Sequence, residues 1–171
     1  MSTRVDILDE GANSYLDALA AIEAYQKEVR NVCRHAYDKR KPDLVSKIGL
    51  ENASCVDFTY PEPGEMEKPY AELGVRQNSP SARETLYVYL MWDGDAGGAP
   101  EISACVSLEF SRNDDRGNWA AKLGGSPSIR RGENKDLCSS KKLSDLTSCA
   151  EALGELLNEW IEFWPVGKRL K

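Results

Sequence analysis

The chain has a single histidine, His35, inside the stretch Asn31-Val32-Cys33-Arg34-His35-Ala36-Tyr37-Asp38-Lys39-Arg40-Lys41-Pro42. A histidine two residues from a cysteine invites three readings: general acid–base work, activation of a thiolate, and metal ligation. Helical geometry argues against a Cys–His pair. At about 100° per residue, side chains two apart diverge by about 200°, so Cys33 and His35 cannot share a proton or an ion. The same geometry places Cys33 with Leu19, Ile22 and Val29 on an apolar face. His35 falls on the opposite side, within reach of Asn31, Asp38 and Lys39. The expectation is a surface histidine. With that one imidazole in water, neither a Ser-His-Asp nor a Cys-His centre is expected, and no catalytic residue is assigned.

Carboxylates are the next candidates. Asp93 and Asp95 in "DGDAGG" resemble the first ligands of a calcium loop. The residues that follow enter a strand instead of supplying further oxygens, and Asp-Gly is favoured in hairpins for backbone reasons. A two-carboxylate nuclease would draw one acid from Asp93 or Asp95 and a second from Glu109, followed by a lysine two residues on; the chain has Glu109-Phe110-Ser111. No metal site is therefore assigned. A metal-dependent hydrolase built on Asp93, Asp95 and Glu109 stands as the alternative reading. "GGSPS" followed by Arg130 and Arg131, with Lys141 and Lys142 beyond, forms a basic loop that could track phosphates. It lacks a Walker-type Gly-Lys-Ser/Thr, so nucleic-acid binding is a third reading and an unfavoured one. There is neither a dinucleotide fingerprint nor zinc-ligand spacing, and no cofactor is expected.

The bulk numbers agree with a binding role. The chain has 171 residues, a formal charge of −6 and 29% charged residues. Acids dominate from Met1 to Val29 and from Glu51 to Glu72; bases dominate from Arg30 to Lys47 and from Arg112 to Lys142. Such blocks steer partners by field complementarity. The longest apolar run, Leu86 to Trp92, is far shorter than the ~20 residues of a membrane span. The N-terminal segment has no signal-like apolar core. Five cysteines without a C-x-x-C pair fit free thiols in a reducing cytoplasm.

The elements that must position these residues follow from periodicity. Tyr15, Leu19, Ile22, Val29, Cys33 and Ala36, flanked by Leu16, Tyr25 and Val32, predict a helix from about Ser14 to about Lys39. Asn13 or Ser14 would cap it and Pro42 would stop it, leaving residues 1–13 as an N-terminal arm. Strands are expected at Cys55–Tyr60, Tyr70–Arg76, Glu84–Trp92, Glu101–Arg112 and Asn118–Leu123, joined by Gly/Pro-rich turns. Residues 124–143 read as a long irregular loop. A second helix, from about Ser144 to Phe163, carries an apolar stripe of Leu146, Cys149, Leu153, Leu156, Leu157, Trp160 and Ile161. Glu151, Glu155, Glu159 and Glu162 lie opposite, and Gly154 suggests a close backbone approach. The expected fold is a single α+β domain, residues 1–171. It has an N-terminal helix, an antiparallel meander of about five strands and a C-terminal amphipathic helix, with both helices on one face of the sheet. Val56, Phe58, Leu86, Val88, Leu90, Ile102, Val106, Leu108 and Phe110 would form that face.

On the other face, Tyr87, Tyr89 and Met91 would lie beside Ser103, Cys105, Ser107 and Glu109. Aromatic and methionine side chains within a polar rim are the composition of an interface centre. The expected function is that of a small soluble acidic binding protein without catalytic activity, of the chaperone, inhibitor, immunity or adaptor kind. Tyr87, Tyr89, Met91, Cys105 and Glu109 would be its contact surface. Its partner would be another protein or a second copy in a homodimer, with neither membrane nor nucleic acid.

Overall fold

The computed structural model describes residues 4–60, 70–78, 84–93, 101–110, 123, 125–132, 136–143 and 147–169. Helix α1 runs Arg4–Asp43. Its 40 residues span about 60 Å at the rise of an α-helix. It begins ten residues before the expected cap, so residues 4–13 are helix and not a separate arm. The physical reason is propagation. Once the downstream turns exist, each added residue gains a hydrogen bond, and Gly11 raises the cost by only about 1 kcal/mol. Pro42 does not stop the helix either. It lies one residue from the end, and the chain continues through a π-helical turn, Leu44–Ile48. Gly49 closes that turn at φ +92°, donating its N–H to the carbonyls of Leu44 (2.9 Å) and Val45 (3.1 Å). What draws the chain past the proline is burial: Leu44, Ile48 and Leu50 are all fully buried.

Six strands follow: β1 (Asn52–Tyr60), β2 (Tyr70–Asn78), β3 (Glu84–Asp93), β4 (Glu101–Phe110), β5 (Arg130–Arg131) and β6 (Leu137–Leu143). They form one sheet in the order β1-β2-β3-β4-β6-β5, and every pair is antiparallel. The expected loop at 124–143 thus holds two of the strands, and β6, not a strand at 118–123, is the neighbour of β4. Leu123 is buried; residues 118–122 lie outside the described residues. Helix α2 spans Cys149–Phe163, starting five residues later than expected; residues 144–146 are outside the description.

Both helices cover one face of the sheet. α1 packs on β2, β3 and α2, while α2 packs on β4 and β6. The inward row reads Cys55, Val75, Val88, Val106, Ser139 across the strands, with Leu73, Leu86, Leu90, Ala104, Leu108 and Leu137 beside it in the core. From α2, Leu153, Leu157 and Trp160 close the core, and the Trp160 indole donates to the Ser139 hydroxyl at 2.7 Å. One expectation reverses. Val56 pairs with Gly74, and that row continues to Tyr89 and Cys105 on the face away from the helices. Phe58 pairs with Glu72 in the same register. An edge strand of alternating residues offers two phases, and the ladder chose the one opposite to that suggested by its apolar residues.

Gly74 marks a true close approach. A Cβ there would lie 2.2 Å from the Val88 carbonyl oxygen and 2.5 Å from Tyr89 Cα. At Gly154, where a backbone approach was expected, the nearest group is instead the Arg40 guanidinium at 3.7 Å. The missing side chain lets Arg40 cross to Asn158, whose carbonyl oxygen accepts from its Nε.

Candidate interaction surfaces

Helix α1 has two different halves. From Val29 onward its apolar stripe is covered: Val29, Cys33, Ala36 and Tyr37 are 0–4% exposed. Cys33 donates to the Leu73 carbonyl, and burial, with smaller effects from the other thiols, pushes its own thiol up to about 12. Tyr37 donates to Gln77. Before Val29 the stripe is bare. Tyr15 is 64% exposed, Leu16 60%, Ile22 52%, Tyr25 39% and Leu19 38%. Strands of nine or ten residues reach only about 30–34 Å, so they cannot run beneath a helix of about 60 Å. The sheet's cover ends where Tyr25 meets Trp92 edge to face, centroids 5.8 Å apart. Sequence reasoning named every residue of this stripe and assigned all of them to the core; helix length alone carried the signal that part of the stripe overruns the sheet.

The second surface is the outward face of the sheet. Tyr87, Tyr89 and Met91 are half-buried there, Glu109 is exposed, and Cys105 is buried with Ser103 and Ser107. Tyr87 lies between Arg76 on β2 and Ser107 on β4 and hydrogen-bonds to both Arg76 and Glu109. Partial desolvation, with the Glu109 charge added, raises the Tyr87 hydroxyl. Desolvation also raises the Glu109 carboxyl; Tyr87 and Arg76 counteract this, while Asp136 and Glu72 reinforce it. The Arg76 Nε is buried without a hydrogen-bond partner among the described residues. The expected tyrosine–methionine patch is therefore a polar network more than an apolar anchor.

The remaining candidates do not come together. Asp93 pairs with Glu101, eight residues along β4 from Glu109, which is about 26 Å of strand. Asp95 lies outside the described residues. No group of three potential metal ligands occurs among the described residues. Of the basic loop, Lys141 points to the helix side and pairs with Glu155, while Lys142 pairs with Glu101. Arg130 and Arg131 form β5, three or more positions away along β6, and the Arg130 guanidinium donates to the Pro127 carbonyl. His35 is exposed, as its helical phase predicts. It borders a cleft of about 410 Å³ between α1 and α2, lined also by Lys39, Arg40, Glu151, Glu155 and Asn158. This lining mixes both charges and offers one imidazole and no thiol.

Among the described residues, an antiparallel sheet with two α-helices on one face, one of them overrunning the sheet, defines an α+β protein with an uncovered helical arm. No protein-family model, curated protein or solved structure matches the chain at a significant level. No helix among the described residues is long and apolar enough to cross a membrane.

Proposed function

We propose that the protein acts by binding a macromolecular partner or a second copy of itself, without catalysis of its own, in a reducing cytoplasm. The observation that carries this reading is the bare stripe of Tyr15, Leu16, Leu19, Ile22 and Tyr25. Contiguous apolar surface of this kind on a water-facing helix mostly serves contact with another molecule. All five cysteines are thiols outside any disulfide, which supports the reducing setting. Six acids against two bases along residues 4–28 argue against a polyanion as the partner. The face bearing Tyr87, Tyr89, Met91, Cys105 and Glu109 is a second, more polar contact surface in this proposal.

The test is sizing of the tagged chain in lysate of its native cells, beside the variant Leu19→Lys/Ile22→Lys. The expected result is wild type in a particle heavier than one chain and the variant at the mass of one chain, with the thermal midpoint unchanged when both are purified and diluted to monomer. Wild type at the mass of one chain, both in lysate and when purified, overturns the proposal.

A further inference from the structure

Helix α2 is tied to the segment that leads into β5 by a cluster of bonds that the binding surfaces do not involve. Ser126 and Ser128 lie in that segment, with exposed Pro127 between them. Both hydroxyls donate to one carboxylate, Glu159 on α2, Ser126 to one oxygen and Ser128 to the other. The Ser128 amide adds a further bond to it at 3.1 Å. These bonds hold the Glu159 carboxyl below the ordinary glutamate range, so it is ionised at neutral pH and accepts both hydroxyl protons. From this arrangement we propose that Ser126 is a phosphorylation site, and that its modification opens the latch between the β5 segment and α2.

Three features of the site carry the inference. The first is access. Ser126 is partly buried between two exposed residues, Gly125 and Pro127. A residue before proline is biased toward extended backbone, and the proline ring is a rigid apolar handle one position beyond the hydroxyl. A serine kinase that reads a proline at that position finds one here in water. Ser128 is followed instead by Ile129, which is buried.

The second is the chemistry that would receive the group. The Ser126 oxygen accepts from the amides of Ile129 at 3.0 Å and Ser128 at 3.3 Å. The Arg130 guanidinium is held over the same turn, donating to the Pro127 carbonyl at 3.2 Å. A phosphate on that oxygen meets backbone amides and a guanidinium, the donors that suit it best.

The third is what the group displaces. Transfer of the terminal phosphoryl group of ATP forms the Oγ–P bond and breaks the bond from that phosphorus to the bridging oxygen. ADP leaves, and the hydroxyl proton passes to the kinase's base. Ser126 then has no proton to give Glu159, and a charge of about −1.5 to −2 stands against a carboxylate. Like charges at this range repel. The phosphate turns to Arg130 and the amides, and Glu159 is left with the donors of Ser128. The segment keeps its apolar anchor, Ile129, and loses part of its charged tie to α2.

The experiment uses the purified full chain, a proline-directed serine kinase of the cyclin-dependent class, magnesium and ATP, with peptide mass spectrometry to place the phosphate. The sequence repeats the triplet as Ser79-Pro80-Ser81, so the two sites are read separately. The expected result is phosphate on Ser126. Incorporation should be about tenfold slower in Pro127→Ala, which removes an apolar recognition contact. It should be about tenfold faster in Glu159→Ala, where no carboxylate holds the hydroxyl. In the modified chain, an NMR titration should show the Glu159 carboxyl moved upward, because it has lost a donor and gained an anionic neighbour. The chain isolated from its native cells with phosphatases blocked should carry the same phosphate. Phosphate confined to Ser79 or Ser128 overturns the inference, as does incorporation only after unfolding or only in Glu159→Ala. An unmoved Glu159 carboxyl overturns the latch, and absence of phosphate from the native chain overturns the site.

Discussion

The two halves of α1 share one spacing and meet opposite fates. Val29, Cys33, Ala36 and Tyr37 are buried to 4% exposure or less, whereas Tyr15, Leu16, Leu19, Ile22 and Tyr25 keep 38–64% of their surface in water. Nothing in residue type separates them; if anything, the exposed half is the more apolar. What differs is the neighbour. The second half has β2, β3 and α2 across from it, and the first half extends beyond Trp92. An amphipathic pattern states that a face wants cover, and the length of the surrounding elements decides whether the chain itself supplies it.

The sharpest way to break this comparison is to truncate one tyrosine in each half. Tyr37→Ala should cost about 3–5 kcal/mol, as for large buried aromatics, because the ring is 1% exposed and its hydroxyl bonds Gln77. Tyr15→Ala should change the unfolding free energy of the monomer by no more than about 0.5 kcal/mol. The measurement is denaturant unfolding at a concentration where wild type is monomeric. Similar losses for both would mean that the arm belongs to the cooperative core.

Two glycines sharpen the same contrast. Gly74→Ala inserts a Cβ against the backbone of β3 and should cost about 2–3 kcal/mol in overpacking. Gly11→Ala meets nothing within 4 Å and should raise helix content, favouring the arm by up to about 1 kcal/mol. Circular dichroism with thermal melts reads both signs. A destabilising Gly11→Ala would show that the first turns of α1 are packed.

Much of this contrast could be read from residues, and the rest was hidden for identifiable reasons. β3 and β4 alternate cleanly because their inward rows, Glu84 at the start of β3 apart, are apolar. The stripe of α2 and the opposed phases of Cys33 and His35 follow from period alone. β6 escaped because its inward row is Leu137, Ser139, Lys141, Leu143. Its two polar members are satisfied by α2, through Trp160 and Glu155, so the strand's apolar signal sits on its partner helix. Val56 was misplaced because an edge strand's phase is set by the ladder, here by its pairing with Gly74. The start of α1 was misplaced because Asn13 and Ser14 are good caps only where a helix needs one. Of the candidate residues, Tyr87 lies on the face away from the helices, in the phase its strand pattern gives, but its Arg76–Glu109 network was not foreseen, since those partners lie on other strands. The bare stripe was seen in full and misassigned.

A smaller effect separates α2 from the arm by pH. Glu159 on α2 is desolvated, which by itself would raise its carboxyl, but hydrogen bonds from the Ser126 and Ser128 hydroxyls and the Ser128 amide prevail and hold it below the ordinary glutamate range. A carboxyl with a depressed folded pKa stabilises the fold above its unfolded value, about 4.3, and loses that contribution as pH falls through the folded pKa. Wild type should therefore be more stable than Glu159→Gln at neutral pH, and the two stability curves should converge as pH drops below about 4. A gap for Glu159→Gln that stays constant with pH would show that the serines bond the protonated and ionised forms alike.

The smallest expected effect belongs to His35, which lies on the covered half of α1 but on its water side. Its helical neighbours Cys33 and Ala36 are buried at 0% and 3% exposure, while His35 itself is exposed at the rim of the cleft shared with Glu151 and Asn158. Removing an exposed side chain takes away little apolar contact and leaves no buried group unpaired, so His35→Ala should shift the unfolding free energy by no more than about 0.5 kcal/mol. Alanine's higher helix propensity offsets part of any loss. Cys33→Asp, two residues away, places a carboxylate in the core and should lower stability by several kcal/mol. Measured together, the pair tests the phase of α1 directly, because a rotation of the helix by about half a turn would exchange the two results.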